Sequence, residues 1–485
     1  MSDTSELAAE PAPDRAPQSR RARTPPAWAV VLAACAGQFL VVLDISVMNV
    51  AAPAISADLG MAESQLQWVV NSYAITFAGL MMLGGRAADL FGRKRVFLAG
   101  LALFTAASLA GGLAEGPGML IAARAVQGVG AAVLSPATLT LLTTAFPEGQ
   151  ARTRAIGTWT AVGAGGGAAG GLVGGLLTEQ LSWRWVLLIN VPIGALVLAV
   201  AALWLAEGRS GSGRRLDLLG SALVTGGVAA LAYGIVQTEE HGWTSAAALL
   251  PLLGGAALLA AFVAAEARVR EPLVPPALFR IRSVAAANAI LLVCGPALMA
   301  TWYFLSLYMQ NVLHYSPVQA GLSFLPHTVA VIAGSKAAPM LMARFGPRTV
   351  AAAGAVIASG ALLWQATITA DGTFLSVILG PGALTMLGAG LLMTPVAEAA
   401  VSGVAAADQG LVSGALNTSR QLGGTLGLTV LATAAASRTG SDTGAEALTS
   451  GYALTFLLCA AFTAAGAAMV ALLPRAAGAR GTTAA

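Results

Sequence analysis

Fourteen apolar runs follow one another between residues 28 and 473, each close to the length of a helix that crosses a bilayer. Such a span needs about 20 predominantly apolar residues. In hydrocarbon every backbone N–H and C=O must find a partner within its own segment, so a chain of this kind folds as helices. The runs lie at roughly 28–51, 66–85, 96–114, 118–142, 154–177, 186–206, 217–237, 245–266, 284–309, 318–342, 349–369, 374–397, 409–436 and 450–473. Only 10% of the residues are charged, against about 25% in a soluble domain. The expected fold class is an all-α polytopic membrane protein.

The stretch Gly85–Arg95, GRAADLFGRKR, is the densest cluster of charge between two long apolar runs. It holds Arg86, Arg93, Lys94 and Arg95 beside Asp89, with Gly85 and Gly92 for tight bends. A cation-rich loop between spans stays on the cytoplasmic side, so this stretch sets the threading. With the amino terminus inside, only Arg184 and Arg438 fall in outer loops, and only Arg124, Lys336 and Arg420 fall within spans. All the other Lys and Arg residues are cytoplasmic. A missed or invented span would invert every later loop and destroy this asymmetry. Both termini are therefore expected in the cytoplasm, and the protein in the inner (plasma) membrane.

Residues 1–27 are rich in Pro, Ala and Arg and read as a disordered cytoplasmic tail, not a signal peptide. A second tail covers 475–485. The end of span 10, Met342 to Arg348, echoes Asp89–Arg93, and Gly410, Gly414, Gly423, Gly424 and Gly427 in span 13 echo the glycines of span 5. The expected organisation is a six-helix half at 28–208, an inserted helix pair at 209–270 and a second six-helix half at 271–474. Two such halves are a transporter architecture, with the site between them near the midplane. The cations sit in short loops, which speaks against nucleic acid. Cys35, Cys294 and Cys459 each lie inside an apolar run, and the three histidines are scattered, so no metal or disulfide framework is expected.

Chemistry concentrates at a few intramembrane positions. Asp44 lies in span 1, about 24 Å from Trp28, and Arg124 about 9 Å into span 4 from the outside. The depths are similar, so the two meet if spans 1 and 4 are neighbours. A proton on Asp44 would then compete with Arg124 or with a cationic substrate; a static ion pair is the alternative. Arg420, with Gln421, lies about 16 Å into span 13 and is a second cavity candidate. His327 in span 10 reads either as titratable or as a packing residue. Trp302, Tyr303, Phe304, Tyr308 and Met309 in span 9 suit a flat lipophilic ligand or an interfacial belt. In span 5, Gly163, Gly167, Gly171 and Gly175 form one row and Gly166, Gly170 and Gly174 the next, faces that allow close helix approach. The only lysines, Lys94 and Lys336, follow Arg93 and Ser335, so no phosphate-binding loop exists and ATP is not the energy source. No nucleophile–base constellation indicates an enzyme.

These stretches resemble the major facilitator superfamily. Gly85–Arg95 is similar to its signature loop between spans 2 and 3. Arg124-x-x-Gln127-Gly128-x-Gly130 is similar to its span 4 motif, whose Arg is implicated in proton transfer. Gly157, Gly166, Gly170, Gly174 and Gly175 fall at the spacing of the span 5 antiporter motif. The Asp44 stretch, Trp183-Arg184-Trp185 followed by Asn190-Val191-Pro192, and Arg420-Gln421-Leu422-Gly423-Gly424 resemble the fourteen-span drug:proton antiporter branch. One departure stands out: Gly171 replaces the usual proline after Gly170. The resemblance implies a major facilitator fold of fourteen helices, without cofactor, driven by the proton gradient and functional as a monomer. Its substrate would be a lipophilic, often cationic drug, or alternatively one endogenous metabolite such as a self-made antibiotic. Asp44, Arg124, Gln127 and Arg420 would serve proton coupling and substrate. Gly85, Asp89, Gly92 and Arg93 would form a cytoplasmic latch, and Trp302, Tyr303, Tyr308 and His327 a pocket.

Overall fold

A computed structural model describes residues 26–146, 150–207, 217–269, 272, 275–402, 404, 409–440, 442 and 444–473. Apart from Pro26, Ala27 and short connections, the expected tails and the loop at 208–216 lie outside the described residues. The described chain is helical and contains no strand. The first half comprises α1 (Ala27–Leu59), α2 (Glu63–Phe91), α3 (Arg93–Gly112), α4 (Pro117–Ala145), α5 (Gln150–Gln180) and α6 (Asn190–Trp204). Then come α7 (Leu218–His241) and α8 (Ala246–Glu266). The second half comprises α9 (Arg282–Leu307), α10 (Leu325–Phe345), α11 (Pro347–Gln365), α12 (Gly380–Val401), α13 (Gln409–Thr439) and α14 (Ala445–Met469). A short helix, Pro317–Ser323, leads into α10.

A helix thus lies over each apolar run. Twelve are long and apolar enough to cross a membrane. Among the described residues α10 and α13 fall short, for a local reason. The first carries His327 and Lys336, the second the polar run Asn417-Thr418-Ser419-Arg420-Gln421. Such groups are tolerated at membrane depth where a helix faces protein or a water-filled cavity.

Helix pairing repeats with an offset of eight. α1 packs on α5 as α9 does on α13; α2 on α4 as α10 on α12; α3 on α4 and α6 as α11 on α12 and α14. Between the halves α2 meets α13, and α5 meets the short helix before α10, again a symmetric pair of contacts. α7 lies against α2 and α13, one helix from each half, while α8 packs on α7 and leaves most of its surface exposed.

The end where α1 begins is called basal here, and the end where it finishes, at Leu59, apical. Buried apolar side chains divide unevenly between them. At the apical end one cluster takes residues from both halves, including Val47, Val50 and Leu187 with Tyr303, Phe304, Tyr308 and Leu431. At the basal end the clusters stay within one half: one lies around Phe97 and Phe104, one around Ile290 and Val396, and a small one around Ala338 and Val350. The halves are joined apically and parted basally.

Hydrogen bonds repeat this division. Ser306 Oγ donates to Asn49 O (2.8 Å), Gln310 Nε2 to Val50 O (3.1 Å), and Asn71 Nδ2 to Thr429 Oγ1 (2.9 Å). Val318 N donates to Glu179 Oε2 at 3.3 Å. Every such bond between described side chains or caps of the two halves lies apically. There the backbones of α5 and the short helix also cross closely. A Cβ on Gly175 would stand 2.8 Å from Pro317 C and from Val318 Cα, and one on Gly171 would stand 3.0 Å from Gly321 O. The departure at Gly171 therefore falls at a tight crossing, where any side chain would press on the backbone at Gly321.

Candidate functional site

The parted basal halves enclose a cavity of about 370 Å³. α1 contributes Gln38, Val42, Ile45, Ser46 and Asn49, residues spaced three or four apart and hence on one face. Gly163 and Gly167 of α5 form part of the same wall, where the missing side chains leave room. Across from them stand Met299 and Trp302 of α9, Thr328 and Ile332 of α10, and Asn417, Arg420 and Gln421 of α13. The lining is mostly apolar with a few convergent polar groups, the usual character of a small-molecule site.

Asp44 lies off this face, fully buried within the first half. Arg124 Nη1 donates to its Oδ2 at 2.5 Å, and Gln127 Nε2 and Asn190 Nδ2 donate to Oδ1 at 2.7 and 3.1 Å. The Arg124 guanidinium also donates to Gln127 Oε1 (2.7 Å) and Val69 O (3.2 Å), and lies 4.3 Å from the centre of the Tyr73 ring. Ser108 Oγ accepts from both Gln127 (2.7 Å) and Asn190 (3.2 Å). Removing two charges from water costs several kcal/mol per ion, and only good geometry with satisfied lone pairs offsets it. Here three donors serve the carboxylate, so the pair is held neutral and dry.

Sequence reading puts Asp44, Arg124, Gln127 and Arg420 in one site. The structure brings the first three together and parts them from the fourth. Arg420 fronts the cavity, whereas Asp44 and Arg124 lie behind the cavity face of α1. Direct competition of proton and substrate for one carboxylate does not fit this geometry. Ser108 and Tyr73 escape sequence reading because a lone Ser or Tyr in an apolar helix carries no pattern. Asn190 has a signal, an amide at the head of an apolar run, but its partner cannot be read from spacing.

The suggested aromatic pocket is also revised. Trp302 lines the cavity, but Tyr303 and Tyr308 are buried in the apical cluster, and Tyr308 donates to Thr369 O at 2.6 Å. Tyr303 lies about 100° round the helix from Trp302, on the side that packs into the apical cluster. His327 is buried where α10 meets α12 at Gly382, with Nδ1 3.0 Å from Ser323 O. It is a packing residue beside the cavity, not part of its lining.

The glycines of α5 sort by neighbour. Gly166, Gly170 and Gly174 face α1; a Cβ on Gly166 would stand 3.2 Å from Phe39 O and one on Gly174 3.0 Å from Val47 Cα. Gly171 and Gly175 face the second half, as described above. Gly157 has open space around it, so its motif position has no packing role here.

At the basal loop, Gly92 has φ +101°, a conformation that calls for glycine, whereas the nearby Glu207 carboxylate could swing aside. Gly85 makes only ordinary contact with Pro136, and Arg93 is half-buried. The Asp89 side chain lies outside the described residues. Lys94 Nζ donates to Ala202 O and Leu205 O, both at 2.7 Å, and Arg95 Nε is 3.4 Å from Glu207 Oε2. Lys94 thus caps the carbonyls that the end of α6 leaves without partners. Lys94→Met should destabilise the basal end by about 1 kcal/mol. Thermal unfolding of the purified protein reads this, and an unchanged melting temperature would remove the capping role. At the apical end Asp58 Oδ2 accepts from Trp183 Nε1 (2.9 Å) and Arg184 Nη1 (2.7 Å), which clamps the end of α1.

A family profile described as Major Facilitator Superfamily matches residues 34–428. The chain is 50% identical over 459 residues to the cephamycin export protein CmcT of Amycolatopsis lactamdurans, covering 94% of either chain. It is 38% identical over 434 residues to a puromycin resistance protein of Streptomyces alboniger, covering 89% of this chain and 85% of that one. Among solved structures, the POT family transporter PepTSo superposes with a TM-score of 0.67 at 16% identity, over 91% of this chain and 96% of that one, a likeness of fold alone.

Proposed function

Because this chain belongs to the Major Facilitator Superfamily, we propose that it exports lipophilic small molecules of the antibiotic class in exchange for protons. The family and the relatives are transporters and not enzymes. The observation that carries the coupling is the neighbourhood of cavity and carboxylate: one helix, α1, presents Ile45 and Ser46 to the cavity and Asp44 to Arg124. A proton on Asp44 cancels its charge and leaves Arg124 held by Gln127 Oε1, Val69 O and the Tyr73 ring alone, which loosens α1 from α4. Since Ser46 Oγ also donates to Gly167 O on α5 at 2.8 Å, such a loosening reaches the cavity wall directly.

In the proposed topology fourteen helices span the plasma membrane with both termini cytoplasmic. The basal end then faces the cytoplasm, and the described state is open inward and sealed outward. Asp89 and Arg93 form the latch of the opposite state, in which the basal halves close. The unit of function is a monomer driven by the proton gradient without a cofactor. An expected preference for cations is not retained: among the described residues no acidic side chain lines the cavity. A dedicated exporter of one self-made antibiotic is the second reading, favoured by the cephamycin and puromycin relatives.

The test uses proteoliposomes with an imposed pH gradient and candidate antibiotics, cephamycin and puromycin first, following drug and internal pH together. Gradient-driven accumulation with proton counter-flow is expected. Drug movement indifferent to the gradient would leave a facilitator. Uptake confined to one compound would select the dedicated exporter.

A further inference from the structure

We propose that the cavity takes lipophilic molecules carrying a compact anionic group, a carboxylate above all, and that Arg420 binds that group. The proposal rests on the export reading and names its substrate class.

Arg420 is the only ionisable residue among the described residues that line the cavity. It stands eleven residues from the basal start of α13, about 16 Å deep, too far to reach the basal surface by extending its side chain. Its guanidinium has five donors, and one hydrogen bond is formed, from Nη2 to Asn417 Oδ1 at 2.8 Å. No carboxylate pairs with it among the described residues. The intramembrane acid of the first half, Asp44, spends its charge on Arg124 behind α1.

An intramembrane cation is costly unless it meets a partner, and charged side chains at this depth ordinarily pair with one another. Arg124 follows that rule, whereas Arg420 faces an opening between two halves. A purely structural arginine would be bound by several acceptors of its surroundings. This one is held by a single amide three residues earlier on its own helix, which orients the fork and leaves the other donors to the cavity. The planar fork matches a carboxylate with two parallel hydrogen bonds. Lys336 adds positive field: it follows Ile332 by four residues on α10, one turn nearer the basal mouth, and is exposed. The rest of the ligand is specified by the remaining lining. Val41, Val42, Ile45, Met299 and Trp302 offer apolar and aromatic surface, and Gln38 and Gln421 offer amides for neutral polar groups.

The test is binding to purified protein in detergent, read by fluorescence anisotropy, with three probes of one shape: pyrenebutyrate, its methyl ester and pyrenebutyl-trimethylammonium. Wild type should bind the carboxylate at least about tenfold tighter than the cation, the range that one or two charge-assisted hydrogen bonds supply. Arg420→Gln should lose about ten- to hundredfold for the carboxylate and leave the ester unchanged. Arg420→Lys should keep part of the affinity, since the charge survives without the fork. Unchanged ester binding certifies that the variants are folded. Equal binding of carboxylate and cation, no binding of the carboxylate, or an Arg420→Gln effect common to all three probes would each overturn the assignment. Failure of the export reading has another signature: these affinities as expected, with no gradient-driven movement of any probe in proteoliposomes.

Discussion

Asp44→Asn is expected to abolish gradient-driven transport while leaving substrate binding in place. The substitution removes the carboxylate of the Arg124 network, and the cavity face of α1 does not include that residue. The same change leaves Arg124 buried without a counter-charge, a situation that costs about 3–5 kcal/mol in comparable buried pairs. Lost transport alone is therefore ambiguous. Pairing Asp44→Asn with Arg124→Gln removes both charges and should recover most of the thermal stability but none of the proton coupling. Stability is read by melting in detergent, binding by a fluorescent ligand, and coupling by accumulation against an imposed pH gradient. Gradient-driven accumulation surviving in either variant would move the coupling group elsewhere. Loss of substrate binding in the stabilised double variant would restore the idea of a single shared site.

The second large effect is expected at the apical crossing. Gly175→Leu sets a side chain where even a Cβ would stand 2.8 Å from the backbone at Pro317 and Val318. Backbone cannot give way as the end of a flexible side chain does, so α5 and the short helix must separate. Unlike a core cavity, this lesion is specific to one conformation, because the crossing exists only while the apical end is closed. The variant should populate the apically open state, lose transport, and remain folded. Spin labels at the apical ends of α5 and α10 should move apart relative to wild type. The inverse substitution, Gly157→Leu, adds the same bulk on the same helix where space is open and should leave transport near normal. If the two variants behaved alike, the crossing would not be a seal.

Much of this arrangement is legible in the sequence because membrane folding is written in two coarse signals, apolar length and cation placement. The helix over each run follows from the first. The encounter of Asp44 with Arg124 follows from depth: residues at matching heights on neighbouring helices meet whatever their separation in sequence. What depth does not encode is azimuth. Asp44 and Ile45 differ by one position yet face a buried ion network and an open cavity. The same blindness put Tyr303 beside Trp302 and drew His327 into a pocket it does not line. The glycine rows of α5 were visible as faces, but which neighbour each row meets depends on helix order, which spacing alone does not give. Lys94 shows a further limit, since its partners are backbone carbonyls of α6, more than one hundred residues away.

The uneven division of the apolar clusters has a consequence for a cell that makes or meets a toxin. One shared cluster holds the two halves together at the apical end, and among the described residues no apolar cluster of that size joins them at the basal end. Moving such an equilibrium from about 1:99 to 99:1 requires about 5.5 kcal/mol from whatever binds. With the threading proposed above, an empty carrier of this build waits with its mouth toward the cytoplasm. A toxin already outside finds a shut face and no site to occupy. On the proposed export reading the molecule works as a check valve, in which whatever binds must supply the work of opening and the idle state lets nothing back.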